Sequence, residues 1–364
     1  MHRRHHNPAR GFTLMELMIS LAIGMLVIGL AVQLFSHALN ATFIVSERAQ
    51  MQQDSRAAED MIVNDISQAG SGLQPGGIGL ATGTGKFPVY GCDQVKCYVG
   101  GGGGSPAGIA YPNQYMYWIV PGYQMGPILQ VGQPPTDVIT VVYADPVFLL
   151  NEYTVAFDNP SGTQVTFSPA AAPPPTPPQA VSDPVYGLKA GDLVLFQNST
   201  GGVTAQAIGE VSTTATGAGP NYVVNFSDPD ALAMNQTGAT GGDLAQITGG
   251  LNTTATRIFA ITYYVDNTTD PNHYRLMRQV NGQTPAPVTD NISGLQITYD
   301  TYDNFGNLQA GVGTLGATSP NMIRKVNLKH LTFRSAMTGV VGFQGLDIQT
   351  SVSARNMSFE NRYD

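Results

Sequence analysis

An α+β fold is predicted: one long N-terminal helix, then a large head of antiparallel sheet. Three observations predict it. Residues 12–35 form an apolar run with a single acid, Glu16. Residues 36–69 contain neither Pro nor Gly and keep apolar side chains at helical spacing. Beyond Gly72 the chain turns to Gly, Thr, Val and Tyr, in short runs bounded by turn residues. The expected division is a basic leader at 1–11, an apolar helix at 12–35, its amphipathic continuation at 36–70, and a head at 71–364.

The helix comes first. From Leu17 to Phe35 no residue is charged, which is about the ~20 residues needed to cross a bilayer core. Arg3, Arg4 and Arg10 precede Phe12 and no acid does. The positive-inside rule therefore keeps the N-terminus cytoplasmic and sends the C-terminal bulk across the membrane. A secretory signal cleaved after the run, or a plain uncleaved anchor, are the bland alternatives. The first needs a small-residue cleavage site near Ser36 to Asn40 and leaves Glu16 unexplained. A carboxylate inside such a segment costs roughly 2.5–3.5 kcal/mol, so it marks a function and a partner. The competing reading places Glu16 at headgroup level, where it stays wet.

Past the membrane run, Leu34, Ala38, Ala41 and Val45, then Ala58, Met61, Ile62 and Ile66, recur at helical spacing. Ser46 to Gln68 is rich in good helix formers. Gly70 and Gly72 form the expected stop. A continuous helix of this length is on the order of 85 Å.

The head reads as strands and loops. Only 12% of residues are charged, about half the usual share, which suits an extracytoplasmic setting. The net charge is −8. Loss of the leader, with its three Arg and no acid, gives −8 − 3 = −11. No basic patch is visible, so nucleic acid is not an expected partner. The length suffices for one large core or two smaller ones. Strands are expected at Gln114–Val120, Asp137–Tyr143, Val147–Phe157, Asp192–Gln197, Ala205–Val211 and Tyr222–Phe226. Further ones are expected at Arg257–Val265, Tyr274–Val280, Ile292–Tyr302, Lys325–Phe333 and Phe343–Val352. The Gly-rich stretch 100–104 reads as a flexible loop. The Pro-rich stretch 170–179 reads as a spacer, with a proline-motif ligand as the alternative.

Cys92 and Cys97 lie beyond the membrane run and so face an oxidising space. A disulfide is the preferred reading; free thiols and half of a metal site are the alternatives. Zinc normally needs four ligands, and only His273 and His330 remain in the head. No metal or other cofactor is expected. No Gly-x-Ser-x-Gly elbow, His-Glu-x-x-His or phosphate loop occurs, so no catalytic residue is assigned and the chain is not read as an enzyme. Acid and amide clusters at Asp266-Asn267…Asp270…Asn272 and Asp300…Asp303-Asn304…Asn307 lack EF-hand spacing and read as turns rather than calcium sites. Tyr115, Tyr117 and Trp118 read as core-filling strand residues, with surface contact as the alternative.

The run Gly11-Phe-Thr-Leu-Met-Glu16-Leu resembles the class III signal of type IV prepilins. The resemblance implies cleavage after Gly11 by a membrane prepilin peptidase and methylation of the new N-terminal Phe12. It implies that Glu16 meets the N-terminal amine of a neighbouring subunit and sets register. Leu14, Leu17, Leu21 and Leu26 would then pack in the fibre core. A pilin often has a helix-bending proline where this chain has Gln33, so local melting in a fibre would fall to Gly24 and Gly29.

DISQAG, DVITVVYAD, GDLVLF, TYYVD…YRLMRQVNG…VTDNISGLQITYD and LTFRS…GLDIQTSVSARN are placed as in PilW-type minor pilins. Members often carry further cysteines where this chain has Gly72-Leu73 and Gln197-Asn198. The resemblance implies a type IV pilin-like fold and a subunit that acts with other minor and major pilins to prime assembly, at the pilus tip in some cases. The subunit would wait in the inner membrane, with its head in the periplasm, for an ATPase-driven assembly platform to lift it into the fibre. Two other classes stand beside this one: a J-type pseudopilin of type II secretion, and a tip adhesin.

Overall fold

The computed structural model describes residues 12–92, 97–100, 115–148, 150–170, 180–200, 203–217, 221–271, 273–303, 305–316, 318–335 and 345–357. The 1–11 leader, the Gly-rich stretch from 101 onward and the Pro-rich stretch from 171 onward lie outside them, as does Asn272 in one turn cluster and Asn304 in the other.

One helix, α1 (Leu14–Gln68), carries 55 residues, roughly 80 Å at ~1.5 Å per residue. Thr13 caps it in extended geometry. It ends two residues before Gly70, where the Ala69 N–H bonds Ile66 O at 3.1 Å. Gly70 has φ +76°, and a Cβ there would sit 3.0 Å from Trp118 Cδ1, so only glycine lets the chain turn under that indole. Its N–H bonds Val142 O at 2.8 Å and ties the helix end to the sheet. The buried positions are Ser55, Ala58, Ile62, Asp65 and Ile66, spaced as one helix face. Met61, expected on that face, points out and is 43% exposed.

The head is antiparallel throughout, and an α+β architecture results. In chain order the strands are β1 (Ile78–Gly79), β2 (Val89–Cys92), β3 (Cys97–Gly100), β4 (Tyr115–Met116), β5 (Ile119–Gly122), β6 (Val138–Ala144) and β7 (Tyr153–Phe157). Next come β8 (Gln164–Pro169), β9 (Leu193–Thr200), β10 (Val203–Glu210), β11 (Thr213–Thr216), β12 (Tyr222–Asn225), β13 (Leu251–Asp266) and β14 (Arg275–Val280). The last are β15 (Ala286–Asp290), β16 (Ile292–Tyr302), β17 (Leu308–Val312), β18 (Ile323–Arg334) and β19 (Gly345–Ser353).

A seven-stranded sheet runs β10-β9-β13-β14-β15, with β6 on β13 and β5 on β6. A four-stranded sheet runs β11-β12-β8-β7, and another β17-β16-β18-β19. The helix docks on β19, β18, β15 and β6. The described residues form two cores, and β9 divides them by strand alternation. Leu193 and Leu195 face the core that contains the helix. Val194 and Phe196 face a second core with Phe167, Val224 and Phe226. A strand buried on both faces accounts for the apolar run LVLF.

Several strand expectations change. Gln114–Val120 is not one strand: β4 and β5 are separated where Trp118 turns inward against Gly70. Val147–Phe157 begins as a turn, because Asp145 Oδ1 takes the Val147 N–H at 2.8 Å, and pairing starts only at Tyr153. β13 starts six residues earlier than expected, since its Thr-rich lead pairs with β9.

Candidate functional site

The first turn of α1 carries the site. Thr13 and Glu16 form a reciprocal capping box. The Thr13 N–H and Oγ1–H each donate to Glu16 Oε2 at 3.1 Å, and the Glu16 N–H donates to Thr13 Oγ1 at 3.3 Å. Free donors at a helix start attract an acid, so a carboxylate fits here on local grounds alone. The Thr-x-x-Glu spacing carries that signal in the sequence itself. The structure thus gives Glu16 a partner inside its own chain, in addition to whatever lies beyond it.

Behind this cap the helix is bare. Phe12 is 88% exposed, and Leu14, Leu17, Leu21 and Leu26 are each more than half exposed. Gly11 lies outside the described residues. The most apolar window of α1 has a mean hydropathy of 2.4 and no buried residue. An apolar surface of this size has its partner in lipid or in another chain.

Far from that end, Asp65 locks the helix to the head. Its carboxylate accepts from Tyr143 Oη–H at 3.1 Å, Tyr263 Oη–H at 2.5 Å, and Arg278 Nε–H and Nη2–H at 2.9 and 3.3 Å. Burial and the neighbouring carboxylate hold both phenols above their ordinary range. Burial works against the Arg278 charge, but Asp65 outweighs it and holds the guanidinium up. No local pattern announces Asp65, because its partners lie as far as 213 positions away.

Elsewhere, Cys92 and Cys97 are joined by a disulfide across the β2–β3 ribbon. Tyr115 is 46% exposed, Tyr117 is half-buried and Trp118 is 4% exposed. Asp266 and Asp303 accept backbone N–H groups two to four residues ahead, as turn residues do. Among the described residues no His, Cys, Asp and Glu group has the geometry of a metal site.

Residues 6–32 match the family model for the prokaryotic N-terminal methylation motif. They carry a prepilin-type signal. No curated protein and no solved structure matches the chain. The signal, the bare apolar helix and the sheet-rich head together support a type IV pilin-like or pseudopilin protein, membrane-anchored and structural. Such a signal implies processing by a prepilin peptidase and assembly with other pilins.

Proposed function

We propose that this chain is a PilW-type minor pilin of a type IV pilus that helps prime fibre assembly. The observation that carries this reading is the coincidence of the methylation motif with a helix whose apolar half has no cover among the described residues. In the membrane, lipid covers that half and the capping box satisfies Glu16. Cleavage after Gly11 frees the Phe12 amine and removes the three leader arginines. The carboxylate of Glu16 then pairs with the amine of a neighbouring subunit. In a water-poor helix bundle an unpaired carboxylate is costly, so this pairing selects one register over slipped ones. Leu14, Leu17, Leu21 and Leu26 exchange lipid for neighbouring helices. The inner membrane is the waiting site, with the head in the periplasm, and the fibre is the destination.

The same signal fits a J-type pseudopilin of type II secretion, and one experiment separates the two. The gene is deleted in its host, and sheared pili and secreted enzymes are quantified together. Loss of pili with normal secretion supports the minor pilin. Normal pili with lost secretion moves the assignment to the pseudopilin.

A further inference from the structure

A groove of roughly 710 Å³ lies between the outer face of β16 and β18 and the 123–136 segment that joins β5 to β6. Bulges shape its wall. Between Leu328 and Leu331, both buried, two residues face outward instead of one, and Lys329 is skipped in the register between Gln296↔His330 and Ile297↔Leu328. A second bulge turns Ser293 and Gly294 outward together, between buried Ile292 and Leu295. Bulges re-aim side chains, and these two aim Lys329 and Ser293 into one groove. The opposite wall is fastened. Asp137 accepts the Ile297 and Gln124 N–H groups at 2.6 and 2.7 Å, Gln296 Nε2 donates to Pro135 O at 2.9 Å, and Tyr274 Oη–H donates to Leu129 O at 3.1 Å.

We infer that this groove binds an acidic saccharide, with Lys329 taking its carboxylate. Its lining mixes amides and hydroxyls (Gln130, Gln133, Thr298, Thr332) with C–H surfaces from Leu129 and Pro134. A saccharide has the same mixture, hydroxyl rims about apolar ring faces. An extended peptide fits poorly, because β16 and β18 are interior strands with both edges paired. Among the described residues no acid lines the groove. Lys329 is exposed and has no ion-pair or hydrogen-bond partner among the described residues. Asp347, which pairs with Thr332 across β18 and β19, is engaged by His330 Nδ1 at 2.9 Å and by Gln349 at 3.4 Å. This site is independent of the assembly reading.

The test uses the full chain in detergent micelles on an array of sialylated and uronic-acid oligosaccharides beside neutral counterparts. Acidic members are retained over neutral ones. Lys329→Gln weakens them about tenfold or more, the loss of one charge-assisted contact. Lys329→Arg restores most of it, and Ser293→Trp abolishes binding by filling the groove. Circular dichroism and thermal unfolding of Lys329→Gln match wild type, since that exposed side chain makes no hydrogen bond or ion pair among the described residues. The proposal is overturned if wild type retains no saccharide, if Lys329→Gln binds as wild type does, or if single-stranded DNA displaces the saccharide at equal concentration.

Discussion

The two halves of α1 differ in where their partners lie. From residue 14 to 54 no position is buried, while Ser55, Ala58, Ile62, Asp65 and Ile66 are covered by the head. Each half holds one telling carboxylate. Asp65 is saturated by Tyr143, Tyr263 and Arg278, from strands β6, β13 and β14 of the same chain. Among the described residues Glu16 is bonded only within its own first turn. One end of the helix is therefore finished by folding. The other is left uncovered by the described residues.

The comparison breaks most visibly at Asp65. Asp65→Ala strands a guanidinium that is 26% exposed, along with two buried hydroxyls. The expected cost is roughly 3–5 kcal/mol, read by urea unfolding of the full chain in detergent. Unchanged stability would mean the helix is held by apolar contacts alone.

Next come paired apolar deletions. Ile62→Ala empties a fully buried site and is expected to cost roughly 2–5 kcal/mol. Leu21→Ala, on a surface the head does not cover, leaves head unfolding unchanged in the same detergent. Equal losses at both sites would erase the distinction between the halves.

The disulfide is a smaller effect. Opening Cys92–Cys97 by double Ser substitution frees a short loop and is expected to cost about 2 kcal/mol. Thermal unfolding reads it.

Smallest and most gradual is a pH slope from the head. Burial and a hydrogen bond with Asp230 push the Glu210 carboxyl up to about 8. The folded state thus holds a proton that the unfolded chain releases near 4.5. That stability is full below about 4.5 and is lost as pH rises through about 8. Glu210→Gln should flatten the slope between pH 5 and 9. A slope that survives the substitution would assign it to another group.

Much of this was legible in the sequence, for reasons that differ by region. The helix announced itself through an uncharged run and an unbroken period. Glu16 stood out because a carboxylate is rare in such a run. The strands β11, β15 and β17 did not, since their Thr, Ala and Gly residues give weak alternation at sheet edges. The run VNLKHLTF reads as alternation, yet Lys329 and His330 fall on one face through a bulge that only pairing with β16 reveals. Asp65 looked like an ordinary polar residue of an amphipathic helix, because its partners are brought to it by tertiary structure.

We propose that Glu16 serves a partner outside the chain. Glu16→Gln tests it most directly, since Gln keeps the capping box and removes the charge. The variant is expressed in the deletion strain, and sheared pili are quantified beside its own head stability. The account predicts unchanged unfolding and membrane insertion, with pili restored no better than by Glu16→Ala. Full restoration by Glu16→Gln would contradict it, and would leave Glu16 as a helix cap and nothing more.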